Sequence, residues 1–222
     1  MENQTEMNLK QYDFPASQYF QEEIVKKQIY LHHTAGNASG EGVFRGWMAN
    51  AEKIATCVAI SGKGKDVVDG QVIQGFSSKH WAYHLGLKAD LFATNQVPYI
   101  SLDKLSIGIE ICNWGQLSLR EDKYYTYVNS VVPADEVCVL EKPYKGYRYF
   151  HNYTDAQIQS VKELLLLWKE KYNIPLAYNE DIWDITKRAL KGEPGVYTHN
   201  SVRKDKVDIY PHPKMIEMLK SL

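Results

Sequence analysis

The sequence predicts an α/β domain in which a mixed central β-sheet is flanked by helices. Three observations carry that reading. Period-2 and period-3.6 hydrophobic patterns follow one another in the order strand, helix, strands, helix, strand. The 222 residues suit one hydrophobic core, and no linker, repeat or low-complexity tract divides them. Hydrophobic residues at 44% and charged residues at 24% are ordinary for a folded globular chain. The expected organisation is a single domain over 1–222, with an N-terminal arm over 1–26 and an insertion over 113–153.

The arm is polar but carries Tyr12, Phe14, Tyr19 and Phe20, which would let it lie on the domain. Residues 28–33 (QIYLHH) alternate as a first strand, with Ile29 and Leu31 on one face and Tyr30 and His32 on the other. A loop of small and polar residues follows over 34–40. Val43, Phe44, Trp47, Met48 and Ala51 then fall at helical spacing. Residues 55–61 and 71–74 read as two strands, and Asp69-Gly70 between them as a hairpin turn with both residues at positive φ. Residues 105–112 (LSIGIEIC) make the cleanest strand. Ile107, Ile109 and Ile111 share one face; Ser106, Gly108, Glu110 and Cys112 share the other.

The tyrosine-rich stretch 113–153, with Pro133 and Pro143, reads as an irregular excursion within the domain. Thr154 and Gln157 form a capping box that opens a helix with the stripe Ile158, Val161, Leu164, Leu165, Trp168 and Tyr172, ending before Pro175. A weaker helix is expected over 181–190 and a short strand over 195–199. Pro213 suits the first position of a last helix over 214–219.

Composition narrows the function. Lys plus Arg is 26 and Asp plus Glu is 27, so the net charge is −1. That balance argues against a nucleic-acid coat, which needs a basic excess. Cys57, Cys112 and Cys138 form no CxxC pair, so neither a disulfide framework nor a cysteine-rich zinc knuckle is indicated. The N-terminus shows no apolar signal segment, and the apolar run 164–168 is far too short to span a bilayer. Cytoplasmic synthesis without stable membrane association is therefore expected. The 16 tyrosines and 5 tryptophans suit a polar binding groove as well as a core.

The chain has seven histidines but no HExxH and no local Cys/His zinc signature. Any metal site must be assembled from distant segments. His32 stands near a strand end just before a glycine-containing loop, as a ligand or as an ordinary strand histidine. Glu110 interrupts an isoleucine-rich strand. Buried without a partner it would be costly, so it must face solvent, a cavity or a cation. His199 and Asp208 are separated by a polar loop long enough to fold back and present both to one ion, although such spacing is common.

Taken together, the segments Leu31-His-His-Thr-Ala-Gly36, Trp81-Ala-Tyr-His-Leu-Gly86, Ser106-Ile-Gly-Ile-Glu110 and Thr198-His199 with Lys206-Val-Asp208 occur in an order that closely resembles the zinc-dependent type 2 N-acetylmuramoyl-L-alanine amidases. That family includes phage endolysins, a muropeptide-recycling amidase and the peptidoglycan recognition proteins. The resemblance covers residues 27–213 apart from 113–153.

The resemblance implies one zinc per chain held by His32, His199 and Asp208, with a fourth position open to water. It implies Glu110 as the proton-transferring base and Lys206 as the group that holds the developing oxyanion. It places His84 along the substrate groove. Trp81 and Trp114 are expected to line the same groove, and His33, on the opposite strand face, to be structural or to support the site. Two departures stand out. The family's Lys-x-Asp-Pro-Gly ending reads Lys206-Val-Asp208-Ile-Tyr-Pro211 here, and a tyrosine used by some members is replaced at Thr56 or Cys57. The implied substrate is peptidoglycan or a muropeptide. The implied role is that of an endolysin released through a holin. The alternatives are a cytoplasmic recycling amidase, a peptidoglycan-binding module without hydrolysis, or another zinc hydrolase acting on the stem peptide. Oligomeric state stays open.

Overall fold

The computed structural model of the chain describes residues 8–36 and 38–222. The first seven residues of the expected arm, and Asn37 of the following loop, lie outside the described residues. The first strands and helices are β1 (Leu9–Gln11), β2 (Gln28–His33), α1 (Gly40–Trp47), β3 (Val58–Ile60) and β4 (Val72–Gln74). Then come α2 (Ala89–Thr94), α3 (Leu102–Leu105) and β5 (Ser106–Ile111). The middle of the chain forms β6 (Gln116–Arg120), β7 (Lys123–Tyr125), β8 (Val131–Val132), β9 (Val137–Tyr144) and β10 (Tyr147–His151). The C-terminal part adds α4 (Asp155–Tyr172), α5 (Lys187–Leu190), β11 (Gly195–Thr198) and α6 (Pro213–Lys220).

The central sheet is six-stranded, in the order β1-β4-β3-β5-β2-β11. Only β3 and β4 pair antiparallel; the other four pairings are parallel. The expected mixed α/β architecture is therefore present. β2 and β5, buried along nearly their whole length, lie inside the sheet, where both faces are covered. Their register sets His32 opposite Glu110 and Tyr30 opposite Gly108. Both members of each pair share a face, because directly opposed residues project to the same side.

The capping box of α4 forms as expected: Thr154 Oγ1 accepts from Gln157 N at 3.0 Å, and Gln157 Oε1 accepts from Thr154 N at 3.2 Å. Its stripe Ile158, Val161, Leu164, Leu165 and Trp168 is buried in the core. The helix ends at Asn173 in the left-handed region. The arm also enters the sheet, as β1 pairing with β4.

Three expectations need correction. Residues 113–153 are not irregular: they fold into an antiparallel five-stranded sheet, β8-β7-β6-β10-β9. Two of its hairpins turn on two residues at positive φ, Glu121-Asp122 (47° and 61°) and Lys145-Gly146 (49° and 87°). Such turns normally announce themselves as Asn-Gly or Asp-Gly, so the unusual residues hid them. The helix expected over 181–190 is two pieces, a 3₁₀ turn at Glu180–Trp183 and α5. Asp181 ties the pieces together by accepting from Thr186 Oγ1 and both Arg188 Nε and Nη2. At Asp69-Gly70 only the glycine has positive φ, 75°, and β3 and β4 are joined by a longer loop. A Cβ at Gly70 would meet Ala156 atoms at 2.8 Å, so the glycine lets this loop touch the start of α4.

Candidate active site

β2 presents His32 on its inner face. His199 follows directly on β11, at the start of a 3₁₀ turn over His199–Ser201, and Asp208 lies on the loop beyond. The three converge. His32 Nδ1 lies 3.1 Å from His199 Nδ1. Asp208 Oδ2 lies 2.9 Å from His199 Nδ1 and 3.4 Å from His32 Nδ1. Among the described residues they are the single histidine, cysteine and carboxylate group whose ligand atoms come together in this way.

The surrounding hydrogen bonds fix where the ring protons sit. His199 Nε2 is 3.0 Å from the Leu85 carbonyl, which can only accept, so this nitrogen carries the hydrogen. His32 Nε2 is 3.0 Å from His84 Nδ1, and His84 Nε2 is 2.9 Å from Ser106 Oγ. Ser106 gives its one hydroxyl hydrogen to the Leu102 carbonyl at 2.7 Å. It must therefore accept from His84 Nε2–H, and His84 Nδ1 must accept from His32 Nε2–H. Both Nδ1 atoms are then bare lone pairs aimed at each other and at a carboxylate oxygen. Three electron-rich atoms in that arrangement repel unless a proton or a metal cation lies among them. Two imidazole nitrogens and one carboxylate match the donor set of zinc and leave a fourth position for water.

Burial, then the neighbouring His199 charge, lowers His32 to about 4, so it is neutral near pH 7. Burial also holds His84 well below its usual range. Burial pushes the Asp208 carboxyl up, but positive charge at the adjoining His199 and His32 outweighs it and holds the group well below the usual carboxylate range. Glu110 is pushed well up, first by burial and then by the Asp208 charge. The Glu110 carboxylate has no hydrogen bond or ion pair among the described residues. The Lys206 charge contributes the smallest of the influences on Glu110 and His32, lowering both.

The other expected site residues divide. Both ring nitrogens of His84 are used within the protein, so it holds His32 and has none left for substrate. Trp81 is 5% exposed, stacked on Phe20 of the arm at 3.9 Å, with its Nε1–H on Glu22. The aromatic arm covers it, so it does not line a groove. Trp114 is half-buried and borders a cavity of about 240 Å³ beyond the ends of β3 and β5, with Cys112, Lys63, Glu136 and His151. His33 faces away, its Nδ1 2.7 Å from the Tyr153 hydroxyl.

Sequence reasoning missed Asp103. Its Oδ1 accepts from the backbone N–H groups of His84 (2.8 Å) and Leu85 (3.0 Å). One dipeptide thus positions both histidines, and one carboxylate pins that dipeptide. A single aspartate in LDKLSIGIE carries no local signal of that task.

A model of the N-acetylmuramoyl-L-alanine amidase family matches residues 22–213. Solved structures of similar fold include PlyL, 16% identical over 97% of each chain with a TM-score of 0.51. A glutamate-to-alanine mutant of PlyL is 17% identical, over 97% of this chain and 100% of that one, with a TM-score of 0.53. The PlyG catalytic domain is 17% identical, over 97% of this chain and 94% of that one, with a TM-score of 0.51. No curated protein sequence matches.

Proposed function

The chain belongs to the N-acetylmuramoyl-L-alanine amidase family, and from that premise we propose that it hydrolyses the amide between N-acetylmuramic acid and L-alanine of peptidoglycan at a single zinc held by His32, His199 and Asp208. The observation that carries this reading is the convergence of two proton-free Nδ1 atoms and one carboxylate oxygen. Zinc bound there would supply Lewis-acid polarisation of the scissile carbonyl and a water of lowered pKa.

The chain's own groups do the rest. Glu110, opposite His32 in the sheet and without a partner among the described residues, takes a proton from the attacking water. Its raised proton affinity suits it to keep that proton long enough to hand it to the leaving amine. Lys206 holds the charge that builds on the carbonyl oxygen. Trp114 and the cavity it borders receive the substrate beyond the cleavage point. We read 1–222 as one amidase domain with 113–153 inserted in it.

The test is incubation of purified sacculi with the protein, with zinc supplied or chelated. New amino-terminal L-alanine and intact stem peptides in the mass spectrum are expected with zinc only. Fragments cut within the stem peptide would indicate a peptidase, and no fragments a binding module. The biological role we assign is wall lysis in the manner of an endolysin. Faster turnover of small soluble muropeptides than of intact sacculi would point instead to recycling.

A further inference from the structure

Lys145 sits at the tip of the β9–β10 hairpin, in the two-residue turn Lys145-Gly146. Its φ is 49° and that of Gly146 is 87°, the left-handed pair of a type I′ turn. The first of these positions favours asparagine, aspartate or glycine, whose short side chains tolerate it. A lysine there costs backbone strain, and an outlier of this kind asks for a compensating role.

The side chain supplies one. An ammonium has three hydrogens, and Lys145 Nζ has three acceptors: Asn200 Oδ1 at 2.6 Å, the Lys206 carbonyl at 2.6 Å and the Lys204 carbonyl at 3.2 Å. Asn200 is thereby oriented. Its Nδ2 donates to the carbonyls of Asp208 at 2.8 Å and Ile209 at 2.7 Å. Lys145 and Asn200 together hold carbonyls at 204, 206, 208 and 209, on the segment that carries Lys206 and Asp208. This is also the segment where Ile209-Tyr210 replaces the Pro-Gly expected after the aspartate.

We propose that Lys145 is a positioning residue: the inserted sheet reaches over the site and braces the Asp208 loop through this one ammonium. The proposal rests on the reading of Asp208 as a zinc ligand, and it gives the insertion a task that the central sheet leaves undone. The loop has no regular secondary structure of its own, and a ligand must be held to a fraction of an ångström.

Lys145→Asn separates the brace from the turn, because asparagine suits the type I′ position but cannot reach the loop. Three quantities are to be compared in wild type, Lys145→Asn and Lys145→Arg: the unfolding midpoint of the metal-free protein, zinc affinity by competition with a chromophoric chelator, and amide hydrogen exchange across 204–209. In Lys145→Asn we expect an unchanged or higher midpoint, faster exchange confined to that loop, and zinc affinity weaker by about 10–100-fold, the usual cost of losing a group that orients a ligand. Lys145→Arg, which keeps the cation, recovers part of the affinity. Zinc affinity and loop exchange within two-fold of wild type in Lys145→Asn would overturn the brace. So would a fall in the metal-free midpoint, since Lys145 would then support the fold as a whole. A wild-type protein that binds no zinc would overturn the metal reading instead, and loop exchange would still decide whether Lys145 braces the loop.

Discussion

Glu110 shows what one residue contributes and what it costs. A half-buried carboxylate without a partner among the described residues opposes folding, and its raised proton affinity reflects that penalty. Glu110→Gln is expected to retain zinc, raise the unfolding midpoint, and lower turnover by about 100-fold or more, the scale of lost general acid–base catalysis. Metal analysis, calorimetry and sacculus hydrolysis on one preparation check all three, and normal turnover would remove Glu110 from the mechanism. Asp103 acts at the same scale but through others. Asp103→Ala frees the His84-Leu85 dipeptide and is expected to weaken zinc binding by about 10–100-fold. Asp103→Asn should bind nearly as wild type, because one Oδ1 accepts both backbone bonds. Equal affinity in all three proteins would dissociate Asp103 from the site.

At the scale of elements, helix α6 shows how far sequence reading reaches. Pro213 marks its first turn in the sequence, and the structure agrees. Its N-cap is His212, which no capping rule names: Nδ1 accepts from Met215 N at 3.4 Å while Nε2–H donates to Asn152 Oδ1 at 2.6 Å. The Nδ1 bond needs a neutral ring, because a protonated Nδ1 cannot accept. Burial, then the Lys214 charge, lowers its pKa from 6.5 to about 4. The unfolded chain therefore binds this proton more readily between those values. The stabilisation is complete above pH 6.5 and is lost as pH falls towards about 4, with a ceiling of about 3 kcal/mol. In His212→Asn, which caps without titrating, unfolding midpoints at pH 7 and pH 5 should differ less than in wild type. An identical difference would mean that His212 does not titrate across this range. The inserted sheet gives the opposite lesson. Its strands alternate, but turns built from Glu121-Asp122 and Lys145-Gly146 lack the usual residues, so the pattern had no punctuation to reveal it.

For the molecule as a whole, the proposed zinc would link metal binding to the fold. Ligands that converge only in the folded state make zinc binding a part of stability. Free zinc at 100 times its dissociation constant adds about 2.7 kcal/mol, a rise in midpoint of about 5–10 °C for a chain of this size. Thermal scans with zinc and with chelator should show that shift in wild type and none in His199→Ala. A similar zinc-dependent shift in the variant would move the metal elsewhere. No helix among the described residues is long and apolar enough to cross a membrane.

Local pattern by itself determined the central strands, the capped helix α4, and the faces on which His32 and Glu110 project. These depend on alternation, spacing and capping within a few neighbouring residues. The order of the four motifs determined the family resemblance, and with it the expectation that His32, His199 and Asp208 act together. Tertiary structure alone decided that Glu110 lies across from His32, that Leu85, His84 and Ser106 set the ring protons, and that Lys145 reaches the loop of Asp208. Those relations join residues that are remote along the chain. Register and packing create them, and no short-range preference of either partner encodes the meeting.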